Sequence, residues 1–421
     1  MHRLALLSIA AGLAHTAPAF ARTFYVSPRG RDDASGRSPA LAWRTVARVD
    51  RARLEPGDSV LFAAGARFTD ATLVPSASGT ARAPIRFGSY GPGRAMISNP
   101  DGAVWFDGRS FLTFDRLTLS TGGAASVILA GSTRGSSHIT VRDCLLTDSA
   151  DAAINSPSTR DSDWLITAST IEDTGDSGLI LVGSNDVVRR NSIRDVGRNP
   201  RLDYGKHGIY AKGPNILVVD NTISHFPGSG ISVRFANAHL LDNTISDGPT
   251  GISFFREDRR VGDSTILGND FAGISAAGFY YDGGGENFVV SGNHIAMSGG
   301  TAFSIAAAPS RNLTITGNTV SGTPAYVLEM SAFGDGASYR ESGNTFVGPA
   351  AFGWNHRRIG YAEYRALSGQ GRGDALVAAP RGGALDSGLI AAAAAAAACL
   401  LGITALTLRR RRRPARGAVV E

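Results

Sequence analysis

The sequence predicts an all-β fold, a right-handed parallel β-helix of about ten coils with an N-terminal cap and a membrane-directed C-terminal tail. Three observations carry this. First, a short phrase returns at Asn191-Ser192-Ile193, Asn221-Thr222-Ile223, Asn243-Thr244-Ile245, Asn293-His294-Ile295, Asn318-Thr319-Val320 and Asn344-Thr345-Phe346. With Asn269-Asp270-Phe271 included, its spacing is 22 to 30 residues, which suits one turn of a solenoid per repeat. Second, such a repeat is too short for a strand, a crossover helix and a return, but holds three short strands stacked on the next coil at about 4.8 Å. Third, an alternating apolar run precedes each asparagine, as in Ile216-Leu217-Val218-Val219. A glycine and an apolar residue follow, at Gly208-Ile209, Gly230-Ile231, Gly251-Ile252 and Gly273-Ile274. The branched side chains fill the bore and the glycines relieve the corners. The asparagine amide suits a buried corner because it both donates and accepts. Function on such a rod is expected along its flank.

In chain order, residues 1–21 have a charged start at His2 and Arg3, an apolar stretch from Leu4 to Leu13 and Ala19-Phe20-Ala21, the pattern of a cleaved signal peptide. Residues 22–60 read as an N-terminal cap and opening strand, with a short amphipathic helix over Val46 to Leu54. A cap is physically required, since an open rod end exposes apolar interior and unpaired strand edges. The β-helix occupies 61–350, its early corners traced through Asp115-Arg116-Leu117, Asp143-Cys144-Leu145 and Ser169-Thr170-Ile171. Residues 351–388 form a closing segment and linker. Residues 389–408 are twenty residues without a charge, eight of them consecutive alanines, and read as a transmembrane or sorting segment ahead of an Arg-rich cytoplasmic tail at 409–421.

Charge accounting removes one function class. Of 42 Lys and Arg, one lies in 1–21 and six in 409–421; of 36 Asp and Glu, only Glu421 does. The remaining 35 of each sign cancel, so no nucleic-acid partner is implied. The two cysteines, Cys144 in a rod strand and Cys399 in the apolar segment, are not placed to pair. A monomer is expected, exported to the periplasm or cell surface and either membrane-anchored or C-terminally processed. Gly382-Gly383, the apolar segment and the arginines resemble the three-part C-terminal signals of bacterial envelope proteins that a membrane protease cuts.

The mature N-terminus carries a family resemblance. Phe24-Tyr25-Val26-Ser27-Pro28, Trp43-Arg44-Thr45-Val46 and Leu54-Glu55-Pro56-Gly57-Asp58 closely resemble the opening of secreted proteins of the pectate-lyase-like superfamily. The segment from Trp354 through Tyr361-Ala362-Glu363-Tyr364 to Gln370 is similar to a closing segment of many bacterial members. The resemblance implies the β-helix fold. It also implies a choice among polysaccharide lyases, glycoside hydrolases, uronan epimerases and non-catalytic proteins.

The Gly-Ile register locates a candidate site. With Ile209, Ile231 and Ile252 inward, Tyr210, Ser232 and Ser253 face out, and two residues further so do Lys212, Arg234 and Phe255. Asp203-Tyr204-Gly205-Lys206-His207 precedes this corner in the longest coil, where Asp151 and Asp176 align with Lys206. Here Asp, Tyr, Lys, His and Arg converge. A lyase acting on a uronate-containing glycan needs a cation for the substrate carboxylate, a base for the C5 proton and an acid for the leaving oxygen. Arg234 or Lys212 serves as cation, His207 or Lys206 as base, and Tyr210 or Tyr204 as acid. Asp203, Tyr204, Lys212, Arg256, Tyr280 and Tyr281 are the expected substrate contacts, and Asp282 and Glu286 candidate ligands for a hard cation such as Ca2+. Solvated surface charge explains the same residues without chemistry. Lys206 or Lys212 followed by Arg234 looks like the arrangement in the chondroitinase and alginate lyase group, although the calcium-placing glutamates found there have no clear match. His207-Gly208-Ile209 and Val233-Arg234 resemble the motifs of polygalacturonase-like hydrolases, whose Asn-Thr-Asp and Asp-Asp motifs are missing; the epimerase Asp-Pro-His-Asp motif is absent. The expected function is therefore a lyase of an acidic polysaccharide. The alternatives are a glycoside hydrolase drawing two carboxylates from Asp151, Asp176, Asp203 and Asp258, and a non-catalytic glycan-binding surface protein.

Overall fold

Three apolar alternations per repeat become three strands, and the strands of successive coils pair in parallel. The computed structural model describes residues 21–201, 206–255, 261–283, 285–306, 311–331 and 339–379. A first sheet runs from Thr23–Val26 to Tyr339–Ser342, a second from Arg67–Phe68 to Ala375–Val377, and a third from Val104–Phe106 through Ala351–Trp354 to Arg357–Gly360. Among the described residues these sheets hold 13, 13 and 12 strands, so the rod is longer than the ten coils expected. Its first coils, built on Ser59–Ala63, Arg67–Phe68, Ile85–Tyr90 and Ala95–Ser98, open the expected 61–350 span and are joined by corners without an asparagine to mark them.

Inward positions form continuous columns. On the third sheet Ile154, Leu179, Ile209, Ile231, Ile252, Phe279, Phe303, Leu328 and Phe352 stack in register, all buried. The partner of Ile252 is thus Phe279, preceded by Gly278, and not Ile274 as the glycine-apolar pattern suggested. In that coil the second-sheet strand runs on through Asp270–Ile274 with a register shift, which leaves Gly273-Ile274 at its end.

The recurrent asparagines line the corner between the first and second sheets, and each is buried. From Asn191 to Asn318 every amide bonds to the coils on both sides. Asn243, for example, donates from Nδ2 to Asn269 Oδ1 (2.9 Å) and to the Val218 carbonyl (3.0 Å), while its Oδ1 accepts from Asn221 N (3.1 Å) and Asn221 Nδ2 (2.9 Å). The residue before each asparagine turns the corner in the left-handed region, as at Asp220 (φ 56°) and Asp242 (φ 52°), a conformation that Asp and Gly tolerate best. The ladder begins upstream with Ser169, whose N–H donates to Asn191 Oδ1 (3.0 Å). Cys144 occupies the next corner, and burial pushes its thiol up to about 12. A second ladder, exposed and not foreseen, joins Asn237, Asn215 and Asn185 at the corner between the third and first sheets.

Both rod ends are closed. Trp43 bridges to Val26 at the start, and helix Val46–Asp50, shorter than expected, buries Val46 and Val49. At the other end the antiparallel strand Arg357–Gly360 covers Ala351–Trp354, and helix Tyr361–Ser368 stacks Tyr364 on Phe352 at 4.3 Å. The last rung, Asn344, donates from Nδ2 to Glu341 Oε1 (2.5 Å), and Tyr364 donates to Glu341 Oε2 (3.2 Å).

This packing sets a pH dependence. Burial, then the neighbouring Asp374 carboxylate, raises Glu341 from its ordinary 4.5 to about 8. The folded state therefore holds the proton more tightly than the unfolded chain. The stability this contributes is full below pH 4.5 and is lost as pH rises through about 8. Melting temperature is expected to fall between pH 5 and 8.5, and E341Q, which cannot ionise, to fall less. Identical profiles for the two proteins would overturn this account of the closing end.

One expectation is corrected. No helix among the described residues is long and apolar enough to cross a membrane. The membrane-directed tail, the transmembrane segment, attachment to a membrane partner and membrane-anchored localisation are therefore withdrawn. Residues 389–408 and 409–421, on which they were placed, lie outside the described residues, as do residues 1–20 of the expected signal peptide and the segment expected to meet a processing protease.

Candidate functional site

Alternation on the third sheet puts Ile180, Tyr210, Ser232, Ser253 and Tyr280 in one outward column on successive coils. The glycine ahead of each inward residue is enforced by crowding. A Cβ on Gly208 would lie 2.5 Å from both the Gly230 carbonyl and Ile223 Cγ2. Any larger residue would push the Tyr210 strand off the rod.

Just beyond the strand ends, cations and aromatic rings interleave. Tyr210 has His207 edge-on at 4.9 Å, Lys212 Nζ 5.0 Å from its ring centre and the Arg234 guanidinium 4.9 Å from it. On its other side Arg234 meets the Phe255 ring at 4.3 Å, and Phe255 lies 5.0 Å from Tyr280. Four consecutive coils thus contribute one continuous strip. Cations over aromatic faces attract the ring quadrupole, and Arg234, only 8% exposed, is held between two rings.

Beneath the strip runs a buried hydroxyl chain. Arg234 Nη1 donates to Ser232 Oγ (2.6 Å), Ser253 Oγ donates to Ser232 Oγ (3.0 Å), and the Ser253 and Ser229 hydroxyls are 2.8 Å apart. Ser229 N donates to His207 Nδ1 (3.0 Å), and His207 N donates to Ser177 Oγ (3.0 Å). Ser232, Ser253 and Phe255 were expected to face out but given no role at the site, and Ser229 was not singled out. The repeated Gly-Ile-Ser at 230–232 and 251–253 was the available signal.

The expected bases are not presented as bases. His207 is 5% exposed and uses its Nδ1 lone pair on a backbone N–H, which leaves the hydrogen on Nε2. Lys206 Nζ donates to the Asn199 carbonyl and acts on the charge of Asp176. Arg198 and Asn199 of the long coil, against which Lys206 is set, lie over earlier corners. Arg198 N donates to the Thr174 carbonyl (2.9 Å) and Asn199 N to that of Gly175 (3.0 Å), and Arg198 pairs with Asp173 at 2.8 Å. A cavity of about 430 Å³ opens there, lined by Gly123, Ser149, Ala150, Gly175, Arg198, Asn199 and Arg201. Beside it Asp151 and Asp176 occupy neighbouring coils. Burial raises Asp176, its bonds to Ser177 oppose that, and the charge of Asp151 adds to the rise.

The remaining candidates separate. Tyr280 faces out, and burial followed by the nearby Asp282 raises its phenol. Tyr281 is 0% exposed, with its ring 4.7 Å from Phe288 and its oxygen accepting from Gly285 N (2.5 Å). Its expected substrate contact is corrected, because the period of two that turns Tyr280 outward turns Tyr281 into the bore. Asp203, Tyr204 and Arg256, with Glu257 and Asp258, lie outside the described residues. Asp282 follows the third sheet while Glu286 opens the Glu286–Ser291 strand of the first. Among the described residues no group of three or more His, Cys, Asp or Glu gathers in a way that could hold a metal ion. Asp282 and Glu286, the carboxylates expected to hold a hard cation, are therefore not part of such a group among the described residues.

A family model described as "Right handed beta helix region" matches residues 188–348. No curated protein matches the chain. Among solved structures, XylC in complex with xylose is similar with a TM-score of 0.61 at 8% identity, over 84% of this chain and 86% of that one. Pectate lyase Pel9A gives 0.50 at 14% identity, over 77% and 79%. The GH136 lacto-N-biosidase from Eubacterium ramulus gives 0.49 at 14% identity, over 85% and 68%. The chain has a right-handed parallel β-solenoid fold resembling the pectate-lyase-like superfamily.

Proposed function

We propose that this β-helix is a carbohydrate-active protein that takes an acidic, uronate-containing polysaccharide along its third sheet and cleaves it by β-elimination. The likenesses to solved structures speak to the fold alone, so the reading rests on side chains. One observation carries it: the strip from His207 through Tyr210, Lys212, Arg234 and Phe255 to Tyr280. Aromatic faces suit sugar rings, and interleaved cations suit carboxylates that recur along a polymer. Lys212, less buried than Arg234, meets the substrate carboxylate, and the fixed Arg234 guanidinium stabilises charge that spreads into it as the C5–H bond breaks. Tyr210, between both cations, acts as its phenolate: it takes the C5 proton and passes it to the oxygen that leaves C4 as the C4–C5 double bond forms, which restores the phenolate.

A second reading is favoured by a different observation. Asp176, raised by burial and by the charge of Asp151 on the adjacent coil, puts two carboxyl groups side by side, and a carboxyl pair is what a glycoside hydrolase uses. One panel decides. Residues 22–379 are incubated with alginate, polygalacturonate and neutral xylan while absorbance near 235 nm and reducing ends are followed. Absorbance with the acidic polymers is expected. Reducing ends without absorbance would transfer the chemistry to the Asp151–Asp176 corner, and binding without either would leave a glycan-binding rod.

A further inference from the structure

The outward column that carries Tyr210 does not begin there. Ile180 pairs with Asn155, Asn155 with Leu129 and Leu129 with Trp105, each in direct register on the preceding coil. Trp105 is 41% exposed, while Trp43, Trp164 and Trp354 are buried. Single exposed apolar side chains are ordinary; this one ends a column in which Leu129 and Ile180 are only half-buried and Tyr210 begins the strip. The coils between them put Trp105 about 19 Å from Tyr210, at about 4.8 Å per coil. That spacing is comparable with one sugar residue of an extended chain, so a polymer parallel to the rod axis meets one outward side chain per sugar.

We propose that Trp105 is a distal sugar-stacking platform and that the ligand is a linear glycan long enough to reach it from Tyr210. This rests on the third sheet being the glycan-binding face, and adds a minimum length and a direction, from Tyr210 toward the N-terminal end of the rod. The low profile of Leu129, Asn155 and Ile180 leaves a shallow track between two large aromatic posts. Trp105 acts by stacking and not by charge, so it contributes with neutral and acidic chains alike.

The lone exposed tryptophan supplies its own reporter. Fluorescence and acrylamide quenching are measured with alginate, polygalacturonate and xylan and with their di- and hexasaccharides. Hexasaccharides and polymers are expected to shield Trp105 from acrylamide, and disaccharides to leave it accessible. W105A should bind the hexasaccharide and polymer about tenfold more weakly, or about 1.4 kcal/mol, and the disaccharide as well as wild type. The inference is overturned if W105A binds every length like wild type while Tyr210→Phe or R234K weakens all of them, an outcome that leaves the binding face standing. It is equally overturned if no glycan of any charge shields Trp105. Shielding by xylan alone would retain the platform and remove the acidic-substrate reading.

Discussion

Asn243→Ala is expected to destabilise the rod by about 3–4 kcal/mol, because truncation leaves buried polar groups without partners at about 1–3 kcal/mol each. Asn221 N and Nδ2, which both donate to Asn243 Oδ1, lose that acceptor, and Asn269 Oδ1 and the Val218 carbonyl lose the Nδ2 donor. Water does not replace the amide, since the corner is closed on both sides by neighbouring coils. The exposed ladder is the control. Asn215 makes the same kind of amide contacts to Asn185 and Asn237 in solvent, and Asn215→Gly keeps the left-handed backbone (φ 62°), so it should stay within about 0.5 kcal/mol of wild type. Urea unfolding of the two variants measures both. A loss under 1 kcal/mol for Asn243→Ala would mean that the asparagines mark the corners without holding them.

Removing Arg234 is the second large effect. R234A should lower turnover of the cleaved acidic polymer by about 100-fold or more, the scale on which one preorganised charge contributes to a transition state. R234K retains the charge but not the planar group that lies between Tyr210 and Phe255 and bonds Ser232, so about tenfold of the loss should persist. Circular dichroism and the melting temperature separate this from unfolding, a necessary check because Arg234 is more buried than an outward position suggests. Half of wild-type turnover remaining in R234A would place the chemistry elsewhere on the rod. His207→Ala is the poorer probe, since it orphans Ser229 N and perturbs the hydroxyl chain along with the ring.

Much of the fold was legible because a solenoid writes its geometry into a period. Asn221, Asn243 and Asn269 are visible as a repeat since each coil presents the same buried corner to the same amide. The outward column of Tyr210, Ser232 and Ser253 follows from the Gly-Ile steps by alternation. The register failed at Gly273-Ile274, where a lengthened strand offers a second glycine-apolar pair that periodicity alone does not distinguish from Gly278-Phe279. Tyr281 failed for a related reason, because an aromatic pair gives no sign of which member enters the bore until the register is known.

The sequence by itself determined the solenoid, its asparagine corners and the two adjacent coils on which Tyr, Lys, His and Arg converge, because each depends on a local pattern repeated at coil spacing. Only the tertiary structure decided what those groups are able to do. It turned the His207 Nδ1 onto a backbone N–H, tied Lys206 to the Asn199 carbonyl, held Arg234 between Tyr210 and Phe255, and aligned Trp105 with Tyr210 across four coils. These relations join residues 7 to 105 positions apart in the chain. They depend on how an irregular loop folds back and how stacked coils set side chains side by side, and no repeat in the sequence encodes either one.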